Sequence, residues 1–136
     1  LSFEADLALT NARFKNAPGE DNIPGAVDRT FSGSVRVGAR EGWFGEARVR
    51  HFGPRVLTED GTVEGEASTL TNLRLGWRQS NWEVALDVLN LFDAADNDIE
   101  YYYGSRLPGE PADGLEGIHL HPVEPRAVRL MVSWRH

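Results

Sequence analysis

Thr71-Asn-Leu-Arg-Leu-Gly-Trp-Arg-Gln-Ser-Asn-Trp-Glu-Val-Ala-Leu-Asp-Val88 reads as two strands joined by a tight turn. Thr71, Leu73, Leu75 and Trp77 alternate with Asn72, Arg74, Gly76 and Arg78. After Gln79, Ser80 and Asn81 the alternation resumes, with Trp82, Val84, Leu86 and Val88 set against Glu83, Ala85 and Asp87. Successive side chains of a strand point to opposite faces of the sheet, so a period of two gives one apolar and one polar face. No segment of comparable length keeps the 3.6-residue period of a helix.

The same pattern extends outward in both directions. Leu1, Phe3, Ala5, Leu7 and Leu9 stand against Glu4, Asp6, Ala8 and Thr10. Phe31, Gly33, Val35 and Val37 alternate with Thr30, Ser32, Ser34 and Arg36, and Trp43, Gly45, Ala47 and Val49 with Glu46, Arg48 and Arg50. At the C-terminal end Val128, Leu130, Val132 and Trp134 oppose Ala127, Arg129, Met131, Ser133 and Arg135. The reading is all-β: an antiparallel, up-and-down meander of six strands near 1–14, 28–38, 43–56, 67–79, 82–103 and 124–136. Every charged residue inside the quoted runs falls on the non-apolar face.

The connections alternate in length. Residues 39–42 and 79–81 are tight links, whereas 16–28, 58–66 and 104–123 are long, acidic and rich in Gly and Pro. Short turns at one end and long loops at the other are the pattern of outer-membrane barrels, while sandwiches mix connection lengths more freely. Trp43, Trp77, Trp82 and Trp134 come to one rim if strands alternate in direction, and each has the parity of the apolar face. An indole suits a membrane interface, where its ring lies among acyl chains and its N–H stays wet. The reading from another class is a β-sandwich ligand-binding module, carbohydrate-binding for instance, with the apolar faces buried against each other.

Composition narrows the functions. The chain has 136 residues, a net charge of −7 and no cysteine. Disulfides, thiolate metal sites and a Cys nucleophile are thereby excluded. The acidic balance argues against a nucleic-acid partner, which calls for a basic face. No apolar run reaches the roughly 18 residues of a spanning helix, which leaves a barrel open. The N-terminus shows no basic-then-apolar leader and starts directly in alternation, as expected of a piece of something longer.

Several stretches together resemble the C-terminal part of a TonB-dependent outer-membrane receptor. They are Leu73-Arg-Leu-Gly-Trp77, Asn81-Trp-Glu-Val-Ala-Leu-Asp-Val-Leu-Asn-Leu-Phe-Asp93, Asp98-Ile-Glu-Tyr-Tyr-Tyr103, Ser105-Arg-Leu-Pro-Gly-Glu-Pro111 and Glu124-Pro-Arg-Ala-Val-Arg-Leu-Met-Val-Ser-Trp-Arg-His136. Ile23-Pro-Gly-Ala-Val-Asp-Arg29 is similar to the loop that leads into a descending strand in that family. The resemblance implies that residues 1–136 are the last six strands of a barrel of about 22, with the plug domain and earlier strands outside this chain. It further implies a bacterial outer-membrane location and uptake of a scarce nutrient such as a ferric siderophore. The implied partners are the bilayer, lipopolysaccharide and a small-molecule or metal-chelate substrate. TonB would be engaged only through the absent N-terminal part, and no cofactor is implied. The terminal His136 departs from the aromatic terminus usual there, while Trp134 keeps its place two positions earlier.

Geometry also leads to the expectation of a fragment. Single-chain barrels need at least about eight strands, and an open sheet in lipid leaves two edges of unpaired backbone groups at several kcal/mol each. Copies closing a ring together would be the other escape.

Candidate binding residues fall in the last long connection. His119 and His121 point the same way if extended, with Glu116 and Glu124 nearby, but zinc needs three or four ligands, so loop packing or solvation is the plainer role. Tyr101, Tyr102, Tyr103 and Arg106 suit either substrate contact or an outer aromatic belt with the middle tyrosine turned inward. The long-loop end is expected to be electronegative, with Glu20, Asp21, Glu59, Asp60, Glu64, Glu66, Asp93, Asp96, Asp98, Glu100, Glu110, Asp113 and Glu116 outnumbering Arg13, Lys15, Arg29, Arg55, Arg106 and Arg126. No nucleophile elbow, P-loop, zinc-helix or dinucleotide motif is present, so an enzyme is not expected.

Overall fold

The computed structural model describes residues 1–135; His136, and with it the reading of the chain terminus, lies outside the described residues. In chain order the strands are β1 (Ser2–Leu9), β2 (Arg29–Gly38), β3 (Gly42–Phe52), β4 (Arg55–Val56), β5 (Glu64–Gly65), β6 (Ser68–Gln79), β7 (Trp82–Leu89), β8 (Asn97–Ser105), β9 (Leu115–Pro122) and β10 (Ala127–Trp134). Six of them form one sheet in the order β1-β2-β3-β6-β7-β10, every neighbour antiparallel. The fold is therefore all-β and up-and-down. The pairs β4–β5 and β8–β9 are small hairpins inserted in the long connections.

Register carries the alternation unbroken across the sheet. Phe3 faces Val35, Val35 faces Ala47, Ala47 faces Leu73, Leu73 faces Val88 and Val88 faces Val128, so one face is apolar from edge to edge. Among the described residues nothing covers that face: Phe3 and Leu7 are each 69% exposed, Leu130 71% and Trp43 77%. Among the described residues the buried hydrophobic ones are Phe44, Leu57 and Ala85, too few to make a core. A fully buried Leu, Val or Phe side chain gains about 1.5–3 kcal/mol over an exposed one, so the face forgoes most of its folding energy unless something apolar lies against it.

Phe44 sits on the polar face instead. It packs beside Gly76, where an added Cβ would collide with its ring, and the Arg78 guanidinium stacks 4.0 Å above it. A glycine at 76 is what lets the ring lie flat on the sheet.

Four of the expected strands hold, with ends trimmed by a few residues: 28–38, 67–79 and 124–136 correspond to β2, β6 and β10, and 1–14 shortens to β1. The 43–56 strand breaks after Phe52 at Gly53 and Pro54, whose ring nitrogen has no hydrogen to give to the ladder, and resumes as β4. The 82–103 strand is two separate elements. β7 stops at Leu89 because Asn90 captures the chain: its backbone N–H donates to Asn72 Oδ1 at 2.9 Å, its Oδ1 accepts from Ala94 N, and its Nδ2 donates to the carbonyls of Ala94 and Glu124. Asn90 and Asp93 both adopt positive φ (48° and 55°), which Asn and Asp tolerate better than most residues. The 104–123 loop likewise contains a strand, β9, pairing back on β8.

Candidate functional site

The polar face, the tight-turn rim and the long-loop end are the regions with functional chemistry. The polar face is built by the same alternation that exposes the apolar one. Arg36 holds Glu46 at 2.9 Å, and Arg48 takes the other oxygen of that carboxylate at 2.8 Å. Arg74 lies 3.2 Å from Glu83 and 3.4 Å from Asp87, and Arg78 lies 3.6 Å from Glu83. Toward β1 this face forms an open groove of about 470 Å³, with Glu4 and Asp6 on one side, Ser32 and Ser34 in the middle, and Arg48, Arg50 and Asn72 on the other. The carboxylates of these pairs are 16–20% exposed and the arginines 30–57%, so the charges hold each other in place while the guanidinium groups keep contact with solvent.

At the tight-turn end all four tryptophans lie on the apolar face. Trp43 is the register partner of Trp77, and Trp82 of Trp134, with the Trp82 and Trp134 rings 6.4 Å apart and inclined at 46°. Both tight turns rest on positive-φ residues: Gly38 and Gly42 flank one, Ser80 lies in the other. Glu41 ties the turns together by accepting the Ser80 N–H at 3.3 Å.

The long-loop end is held together by its acids. The first connection docks on the second through Asn22 N–H to the Glu59 carbonyl (3.1 Å) and Gly25 N–H to the Val56 carbonyl (2.8 Å). The second docks on the third through Glu100, only 4% exposed, which accepts the Glu66 N–H at 3.0 Å and the Asn97 amide at 2.9 Å. Its carboxylate lies over Gly65, where any Cβ would strike it. Asp96 accepts the Thr69 N–H at 2.6 Å, and Asp93 accepts the Arg126 N–H at 2.9 Å. Asp60 turns on its own loop, with hydrogen bonds from Thr58 and then from the Thr62 N–H and hydroxyl holding its carboxyl below the usual range. Of the carboxylates expected to make this end electronegative, Asp60, Asp93, Asp96, Glu100 and Glu110 accept backbone N–H groups.

The residues singled out in the last connection are divided by the β8–β9 hairpin. Tyr101 is the register partner of His119 and Ile99 of His121, so Tyr101, Tyr103, His119 and His121 share one face. The His119 imidazole stacks on the Tyr103 ring at 3.8 Å and 11°. Tyr102 is on the opposite face and donates its hydroxyl proton to Glu116 at 3.2 Å, which raises its pKa from the ordinary value. Arg106 belongs to the hairpin tip, where its Nε donates to the Glu110 carbonyl at 3.4 Å. The two histidines therefore share a face, as the i, i+2 spacing indicates. Among the described residues no group of three or more His, Cys, Asp or Glu converges on one point.

Sequence reasoning missed Asn90, Arg55 and Glu100 as organising groups. Arg55, 9% exposed, donates Nη1 to the Asp98 carbonyl at 3.2 Å. Only the pairing of loop to loop reveals that these charges are buried, and no periodicity in one strand contains that pairing. No protein-family model matches the chain, and comparison with curated proteins finds no match.

Proposed function

We propose that this chain is a wall segment of a bacterial outer-membrane β-barrel of the TonB-dependent receptor type, acting in uptake of a scarce nutrient such as a ferric siderophore. The observation that carries the reading is the single sheet with two unlike faces: one apolar and uncovered from β1 to β10, one lined by ion pairs. Lipid against the first face and an aqueous lumen against the second satisfy both without a second protein layer. The tryptophans at the tight-turn end then sit at the periplasmic interface, and the long loops, hydrogen-bonded to one another, face outward toward lipopolysaccharide and substrate. In this role the segment is structural rather than enzymatic. It anchors in lipid, lines the lumen and presents loops, while plug and TonB engagement belong to parts of the receptor outside this chain.

Fractionation tests the reading. The protein should remain in the outer-membrane fraction after an alkaline wash and require detergent for release. Quantitative release into the soluble fraction as a monomer would reject it and favour a sandwich-like ligand-binding module. The substrate contact is tested by binding of ferric chelates to the intact receptor across a salt series, with Glu59, Asp60, Glu64 and Glu66 neutralised in parallel. Unchanged affinity and salt slope would remove the loops' electrostatic role.

A further inference from the structure

One row of residues crosses the polar face with alternating charge. Arg36, Glu46, Arg74, Asp87 and Arg129 are successive register partners from β2 to β10. Inside the sheet the row neutralises itself, Arg36 on Glu46 at 2.9 Å and Arg74 on Asp87 at 3.4 Å. It ends uncompensated. Arg129 lies on the outermost strand, opposite an Asp87 already held by Arg74, and among the described residues it forms no ion pair. The other edge has the opposite sign: among the described residues, Glu4 and Asp6 on β1 receive only the hydroxyls of Ser34 and Ser32, at 3.4 Å each.

Directly opposed residues in an antiparallel pair are close enough for opposite charges to favour one register and like charges to oppose it. The β10 edge is a ladder of unpaired N–H and C=O groups with apolar residues on one face and, on the other, Arg129 within the strand and Arg135 just past its end. We propose that the strand pairing with this edge carries an Asp or Glu opposite Arg129, and that the strand flanking β1 carries an Arg or Lys against Glu4 and Asp6. The occupant of each edge is a further strand of the same barrel wall, and the charges select its register. This inference rests on the barrel reading.

The test uses the full-length protein in its native membrane, with a benzophenone amino acid placed at Met131 or at Ser133 on the polar face of β10. Mass spectrometry identifies the captured segment and, from the two anchor points, its register. An acid opposite Arg129 is expected. Arg129→Glu should then cut the fraction of folded, heat-resistant barrel roughly two- to fivefold. Arg129→Gln should cut it less, and reversing the captured acid to Arg should restore the Arg129→Glu variant. A captured strand with no acid in register, or a double reversal without rescue, overturns the inference while membrane retention leaves the barrel reading standing. Capture of residues 2–9 from a second copy overturns the proposed occupant in favour of a ring of copies. Release of the protein into the soluble fraction of the same preparation marks failure of the barrel reading instead.

Discussion

The two ends of the sheet are held by different chemistry. At the tight-turn end the strands are joined by a few residues, the ordering comes from positive-φ turns, and the large side chains are tryptophans on the apolar face. At the long-loop end the connections are long, and order comes from polar groups withdrawn from water: Asn90 at 5% exposure, Glu100 at 4% and Arg55 at 9%. A tight turn needs little side-chain help because its few residues have few conformations to lose. A loop of a dozen or more residues loses about 1–2 kcal/mol of backbone entropy for each residue ordered, so it stays folded only where hydrogen bonds to its neighbours offset that loss. The long loops have very few buried apolar residues, and carboxylates and amides supply the offset.

Removing one such group should therefore damage the long-loop end far more than an equivalent change damages the other. Asn90→Ala deletes three side-chain hydrogen bonds and leaves the Ala94 N–H without its acceptor; a loss of about 3 kcal/mol is expected by denaturant unfolding. Asn90→Gly, which keeps the positive φ but not the bonds, should be nearly as damaging. If Asn90→Gly restores full stability, conformation and not hydrogen bonding terminates β7.

Glu100→Ala should cost about 2 kcal/mol, because the Glu66 N–H and the Asn97 amide lose their acceptor in a buried place. The damage should be local: amide exchange should quicken at 64–66 and 97–100 and stay unchanged in the turn at 80–81. Equal quickening at both ends would remove the contrast between them. At the tight-turn side of the polar face, Gly76→Ala drives a methyl into the Phe44 ring and should cost about 1–3 kcal/mol, with Phe44→Leu in the same chain recovering part of it.

Much of the sheet was legible from parity. The six runs of alternation define the faces, the tryptophan rim and the order of the strands, because successive side chains point to opposite faces and the two faces differ in polarity. The split of the 82–103 segment was not legible. Alternating and aromatic residues continue through Tyr103, and nothing in that pattern says that Asn90 donates to Asn72 and Glu124 and accepts from Ala94. The charge row was hidden for another reason: Glu46 and Arg74 are 28 positions apart in sequence and become partners only when register is known. His119 and His121 were correctly placed on one face by their spacing, but the stacking of His119 on Tyr103 depends on the hairpin that the 104–123 segment was not expected to form.

The smallest effect concerns pH at the outer hairpin. Glu116 accepts the Tyr102 hydroxyl proton, so the phenol is held above its ordinary value of 10.0. A raised folded-state value means that the contribution of this bond is complete below 10.0 and is lost as pH rises through the folded value. Ultraviolet titration should show Tyr102 ionising after an exposed tyrosine, and Glu116→Gln should bring it back toward ordinary behaviour without altering unfolding at neutral pH. A titration unmoved by that change would mean that the hairpin does not hold this pair together.

What covers the apolar face decides between a membrane wall and a packed sheet, and tryptophan quenching in lipid reads that directly. The protein would be reconstituted in vesicles with bromine atoms at defined depths on the acyl chains, retaining Trp43, Trp77, Trp82 and Trp134 one at a time. Each indole should be quenched most strongly by bromine near the interface and be shielded from aqueous iodide. Equal access to iodide at all four positions, with no quenching by brominated chains, would contradict a lipid-facing sheet.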